Sequence, residues 1–593
     1  MSSSSKDIHW IDYAVFALSL LLSISTGVYQ AVKSHFFPSQ SSSQKDDYLM
    51  GGRQMPPIPV ALSLLTTFLS GILMLGVPAE VYLRGGQIWL NFVVGAISSL
   101  ITAHVFLPVF YKMKSTCLHE YFIHRYDSLI IRRLFSLLFC FFTISYMSIV
   151  IYAPSVALSK VLDINKSILI IIFGLSTTLY TCIGGLKAVV WADSIQAVMM
   201  YAGVISLLIK GVLHERVGGI GRVMELALDS GRLNEILRIN PDMAQYNSLW
   251  INIGSGTITW LASFGVNQLA IQRYSSLPSL KQGQKIIYYT LIPFIILCTL
   301  VSSIGLVALA YYYNCDPMET HEIEDKDHII ILFARDILQP TCGLFGLYVS
   351  CILAATLSTL SSGMNSMSAA IYEDFLKQKL DGKISDSKAT LISKGLTILT
   401  GIVSTSVAFA AESLGGILRV CISVMGAMSG PMVAIFVLAM FFPRNGAMST
   451  LVSFVISNII MMIICVLNYV QDPYRDLFLP TNTTSEGCIG LSTNNITLRV
   501  SPSYDAHFGD PETSYIARIS TYNYSAVGFI IMLAIGIPLT FFEKEDKTKR
   551  YLSYYARNEK WPEDKHESDH LRHTISSKST KSSHSPLLSS SSS

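Results

Sequence analysis

Three residues near the middle of one apolar stretch carry the most specific chemistry in this chain. Along residues 347–375, LYVSCILAATLSTLSSGMNSMSAAIYEDF, Ala355, Ser358 and Thr359 fall at i, i+3 and i+4, so on a helix one carbonyl oxygen and two hydroxyls share a face. Neutral oxygens gathered at membrane depth suit a small hard cation, and sodium is the candidate. Serine and threonine that bond back to the carbonyls of their own helix would produce the same pattern. The other half of an ion site must therefore come from elsewhere in the chain.

The elements that would position these residues are membrane spans. Of the 593 residues, 51% are hydrophobic and 14% charged, with mean hydropathy +0.46, whereas a soluble chain carries about 25% charged residues. This excludes a soluble secreted enzyme, and a scattered net charge of +3 gives no reason to expect a nucleic-acid partner. About thirteen apolar segments approach or exceed the roughly 20 residues that cross a bilayer as a helix. The first, at 12–33, is longer than a signal-peptide core and lacks a small-residue cleavage site, so it is expected to be retained. Lys and Arg gather in alternate connections, such as Lys112, Arg125, Arg132 and Arg133 in one and Arg273, Lys281 and Lys285 in another, and mark those as cytoplasmic. Asn482 and Asn495 head N-x-Thr sequons between the last two spans and would face outside. The expectation is a plasma-membrane protein with its N-terminus outside and a disordered Ser-rich tail, 543–593, in the cytoplasm.

Ten cysteines include no CxxC pair and read as small buried hydrophobes, not as a metal or redox site. Cys315, Cys342 and Cys488 lie in or near polar loops and could form a disulfide outside. His119 and His124 in HEYFIH stand at i and i+5, not the i and i+4 of a zinc-protease helix, and the segment reads as a solvated basic loop. No GxxxxGK[ST] run is present to hold ATP phosphates. Transport, if it occurs, would be secondary, and no enzyme is expected.

Two spans are interrupted in the same way. Residues 63–82, SLLTTFLSGILMLGVPAEVY, and 251–274, INIGSGTITWLASFGVNQLAIQRY, each open a set of five spans. Broken helices in corresponding positions of two halves point to inverted repeats, with substrate and ion sites where the helices unwind. The repeats would run over 57–213 and 247–442. Residues 1–56 would hold the N-terminus, an extra helix and a linker, 214–246 an outer loop, and 443–542 two further helices with the glycosylated loop between them.

PVALSLLTTFLSGILMLGVPAEVY, IVIYAPSVAL followed by GGLKAVVWADSIQ, FGVNQLAIQRY and LSTLSSGMNS resemble the sodium:solute symporter family over about 50–540, closest to its monocarboxylate, multivitamin and iodide transporters. The resemblance implies an all-α, multi-pass LeuT-type fold with a 5+5 inverted-repeat core. It implies that backbone carbonyls of Thr66 and Leu69 complete the sodium site of Ala355, Ser358 and Thr359, with sodium co-transported. It also implies that Phe68, Leu73, Tyr146, Ser263, Phe264, Asn267, Gln268 and Cys421 line the substrate site. Asp193 would stand on the path by which sodium leaves, alongside a plain reading as an N-cap or first-turn carboxylate. The expected function is sodium-coupled symport of a small organic anion, a monocarboxylate or a vitamin such as biotin or pantothenate. The alternatives are a carrier of iodide, sugar or another solute, or a non-transporting nutrient sensor. Leu73 departs from the polar residue of the monocarboxylate and iodide carriers, which disfavours iodide. No Arg or Lys is expected at mid-membrane.

Overall fold

A computed structural model of the protein describes residues 8–36, 43–113, 116–234, 236–323, 328–380, 383–413, 417–484, 488 and 502–543. Asn495 and the 543–593 tail beyond its first residue lie outside them, and Cys421 falls outside the side chains described. Among these residues every regular element is a helix. Among the described residues, nine helices are long and apolar enough to cross a membrane, and a bent pair, Pro57–Phe68 with Gly71–Arg84, makes a tenth. Large apolar side chains such as Leu18, Leu175, Ile402, Ile459 and Ile463 face outward, as a lipid-facing surface requires and a water-facing one would not tolerate.

Leu344–Ile371 forms the axis of the bundle. Every residue from Tyr348 to Ala370 is buried, so this helix is enclosed by protein on all sides, and its small side chains let neighbours approach closely. Against it pack the broken helix and Leu129–Leu162. Beside them runs Lys166–Val212, whose 47 residues are long enough for two crossings. The last of these helices departs from helical geometry at Gly185, at φ 58 and ψ −152. A side chain there would strike the backbone and ring of Tyr48.

Tyr48 belongs to the short helix Gln44–Met50, which is strapped across one end of the bundle. Asp47 accepts from Lys187 Nζ at 2.5 Å, Lys45 pairs with Glu373 at 3.2 Å, and Gln272 Nε2 donates to Leu49 O at 2.6 Å. At the opposite end the connections interlock. Arg232 Nε donates to Tyr82 O at 2.6 Å, Tyr246 N to His507 O at 2.7 Å, and a disulfide joins Cys315 to Cys488. Cys342, the third cysteine expected near a loop, is exposed and reduced.

Candidate functional site

The bend in the tenth span makes the site. Leu69 and Ser70 leave helical geometry, at φ −100, ψ 86 and φ −82, ψ 166, and the helices on either side meet at 58°. Gly71 follows, and a side chain there would strike Thr356 Oγ1 and come within 3.3 Å of Ile352 O. The break therefore lies where this backbone touches the axial helix. Carbonyls in the last turn of a helix lack an amide four residues on, and those of Thr66 and Thr67 are turned to the axial helix for partners.

Ser358 Oγ donates to Thr66 O at 2.9 Å, and Thr359 Oγ1 donates to Thr67 O at 3.2 Å. Both hydroxyls also approach Ala355 O, at 3.1 and 3.2 Å. The helix does bond back to itself, yet the same hydroxyls reach across to the broken helix. Five oxygens from two helices gather there, with water excluded: Thr66, Ser358, Ala355 and Thr359 are at most 1% exposed. Leu69 is fully buried and stands at the break. Thr67, which also takes part, was missed in the sequence.

A buried charged network backs this cluster. Asp193 Oδ2 accepts from Ser63 Oγ at 2.6 Å and from Arg273 Nη2 at 3.3 Å, while Arg273 Nε donates to Ser63 Oγ at 2.9 Å. Arg273 Nη2 also bonds Ser362 Oγ, which meets Thr67 Oγ1 at 2.9 Å. Both charges are fully buried. Two expectations are corrected. Asp193 is no N-cap; it lies inside Lys166–Val212 and is neutralised from another helix. Arg273, assigned to a polar connection, is an enclosed cation. A buried charge persists only when paired and hydrogen-bonded, and Arg273 is held on three sides. Its helix, Gln268–Ser275, QLAIQRYS, is buried at every residue despite low hydrophobicity, so no local pattern announced it.

Beside the break opens a cavity of about 460 Å³, whose wall includes Ser70, Leu73, Glu80, Tyr146, Met425 and Tyr522. Leu73 and Tyr146 thus share one wall. Phe68 and Phe264 stand edge to face, centroids 5.0 Å apart, and are not part of that wall. Ser263 Oγ bonds back to Thr259 O at 3.2 Å, and Asn267 Oδ1 caps its helix by accepting from Leu269 N at 2.9 Å. Gln268 is engaged elsewhere. Its Oε1 accepts from Leu118 N at 2.6 Å and its Nε2 donates to Thr116 O at 2.8 Å. At the mouth, Glu80 accepts from Tyr246 Oη at 2.6 Å and pairs with Arg84 at 3.5 Å. No Lys or Arg is in the lining.

Residues 48–456 match the model of the sodium:solute symporter family. The chain is 33% identical to the sodium-coupled monocarboxylate transporter 2 of Bos taurus over 540 residues, covering 91% of this chain and 85% of the relative. Against the sodium-coupled monocarboxylate transporter 1 of Homo sapiens it is 33% identical, covering 89% and 86%. With the sodium-dependent multivitamin transporter of Oryctolagus cuniculus it shares 34% identity over 73% of this chain and 66% of the relative. The structure superimposes on a Na+-coupled sialic acid symporter in a substrate-bound outward-open state with a TM-score of 0.73 at 21% identity, covering 91% of this chain and 100% of that one. The fold is thus the LeuT-type architecture expected from the motifs.

Proposed function

The chain belongs to the sodium:solute symporter family, and from that premise we propose that it carries a small organic anion, a monocarboxylate or a carboxylate vitamin such as biotin or pantothenate. It is a sodium-coupled symporter, not an enzyme, and sodium is the co-transported ion. The observation that carries the site is the meeting of two hydroxyls from the axial helix with two carbonyls freed at the bend. Sodium would bind among the carbonyls of Thr66, Leu69 and Ala355 and the hydroxyls of Ser358 and Thr359. A hydroxyl can donate to a carbonyl and still offer a lone pair to the ion. Release of the ion would let the two helices separate, which is the element that alternating access requires.

The organic anion would occupy the cavity beside the bend. Its volume is large for a monatomic ion, its wall is mostly apolar, and Ser70 and Tyr146 supply hydroxyls. With no cation in the lining, a carboxylate would be met by these hydroxyls, by the N-terminal end of Gly71–Arg84, or by the sodium itself. The relatives named for monocarboxylates and vitamins support this class. Membership of the plasma membrane with the N-terminus outside fits Asn482, which is exposed in the interlocked loops. The thirteen spans and the repeats over 57–213 and 247–442 belong to the same proposal.

A tenfold sodium gradient supplies about 1.4 kcal/mol, and 60 mV adds roughly as much per charge moved. One sodium with a monovalent anion moves no net charge, so concentrative uptake beyond about tenfold would need a second sodium. Labelled lactate, nicotinate, biotin, pantothenate and iodide offered to expressing cells in sodium and in choline test the cargo. Uptake of at least one organic anion should fall about tenfold or more in choline, with iodide unaffected. If no organic anion enters with sodium, the cargo is wrong, and saturable binding without uptake would indicate a sensor.

A further inference from the structure

Just past the far end of the axial helix, about 24 Å along the helix from Ser358, lies a cluster that takes no part in the proposed sodium and substrate sites. Cys117, His119 and Asp374 are 1%, 2% and 0% exposed. Cys117 Sγ lies 3.1 Å from Asp374 Oδ2 and 3.4 Å from His119 Nδ1, and His119 Nδ1 lies 3.3 Å from the same carboxylate oxygen. We propose that these three side chains form a metal site for zinc, at which the ion ties the loop before Glu120–Tyr126 to the end of the axial helix.

The geometry is that of a tetrahedral face. Zinc bonds of about 2.3 Å to sulfur and about 2.0–2.2 Å to nitrogen and oxygen set ligand-to-ligand edges of about 3.3–3.6 Å. The Sγ–Nδ1 and Nδ1–Oδ2 edges lie within about 0.2 Å of their tetrahedral values, and the Sγ–Oδ2 edge would open by about 0.5 Å on binding. The ligand types agree as well, because a thiolate, an imidazole and a carboxylate together select zinc over magnesium or calcium, which take oxygen alone. On binding, the Cys117 thiol releases its proton to water, and thiolate and carboxylate offset the two charges of the ion, leaving the single charge of Arg132, which pairs with the other oxygen of Asp374. A fourth position is left for water.

The support around the ligands also fits. Arg132 Nε donates to the other carboxylate oxygen of Asp374 at 2.6 Å, and Arg132 Nη2 to Glu373 O at 3.2 Å. That holds the carboxylate in one orientation, as partners of metal ligands commonly do. Gln268 serves the same end, since its amide grips Leu118 N and Thr116 O on either side of Cys117. The loop carrying two ligands is thus fastened before any ion arrives. This corrects the expectation of a solvated loop at His119 and of a purely hydrophobic role for Cys117. The spacing Cys-x-His matched no motif because the third ligand is 255 residues away in the chain.

The test uses the full-length protein purified in detergent. Wild type loaded with Co2+ in place of zinc should show a thiolate-to-cobalt charge-transfer band, and zinc should displace the cobalt at about one ion per chain. The band should vanish in Cys117→Ser and strengthen in His119→Cys, which keeps three ligands and adds a second thiolate. Cys298→Ala, a buried cysteine in another helix, should leave it unchanged. Absence of the band in wild type would show a hydrogen-bonded triad without metal and overturn the proposal. Persistence in Cys117→Ser would overturn it too, since the ion would then lie elsewhere. Reading wild type first keeps the result independent of whether a variant folds.

Discussion

Ser358 and Thr359 do two things at once, which is why their spacing alone was ambiguous. Each hydroxyl meets Ala355 O within its own helix and a carbonyl of the broken helix across the interface. An interaction of a hydroxyl with a charged group is worth about 1.5–3 kcal/mol. Replacing both in Ser358→Ala with Thr359→Ala should therefore raise the sodium concentration for half-activation of uptake at least about tenfold, each 1.4 kcal/mol being a factor of ten. Cell-surface labelling should show the variant still delivered to the membrane. Unchanged sodium activation would remove these hydroxyls from the ion site. Ala355, by contrast, contributes only its carbonyl, and no side-chain change there can test it.

Close backbone approaches at glycines help to hold elements in place here. Gly185 gives Lys166–Val212 its break, and Tyr48 of the strap occupies the space a side chain would need. Gly185→Ala must hold φ 58, ψ −152, a region essentially reserved for glycine, at about 1–3 kcal/mol, and displace Tyr48, at about 1–3 kcal/mol more. The expected outcome is a lower Tm in detergent together with faster proteolysis at Lys45. Gly395→Ala is the comparison. Its Cβ would meet nothing within 4 Å, so a helix-interior alanine should be neutral or stabilise by about 0.5–1 kcal/mol. Equal effects of the two substitutions would show that Gly185 is not a fixed joint.

Across the whole molecule, the two ends of the bundle are built differently. One end is strapped by Gln44–Met50 and ion pairs. The other is closed by loops that reach across the chain, and His507 lies among them. Burial and the neighbouring Arg238 push the His507 imidazole down to about 4, against a partial pull upward from Asp505. An unfolded histidine takes its proton near pH 6.5. Between those values the unfolded loop binds more protons than the folded one, so loop stability is full above about pH 7 and falls as pH drops toward 4. The Tm of wild type should decline over that window, and His507→Gln should flatten the decline. An identical slope in both would place the sensitive group elsewhere.

How much of this was legible depended on whether the information is local. Apolar length, the Gly and Pro interruptions at 63–82, and the i, i+3, i+4 oxygens are properties of short stretches, and they identified a membrane bundle, a broken helix and one half of the oxygen cluster. Leu73 and Tyr146 came from resemblance and do share a cavity wall, while Gln268, from the same motif, turns away to the loop at 116–118. Arg273 was misread because a lone arginine at the polar end of an interrupted segment looks the same in a connection as in a buried pair, and Asp193 lies 80 residues from it. Cys117 and His119 gave no signal without Asp374. By itself, then, the sequence determined the class by composition, the family by its motifs and the oxygen-bearing face of one helix by periodicity, since each of these acts within a short stretch. The tertiary structure alone decided which carbonyls that face meets, which charges are neutralised, and which distant carboxylate comes within ligand distance of Cys117 and His119, because those depend on packing between elements far apart in the chain.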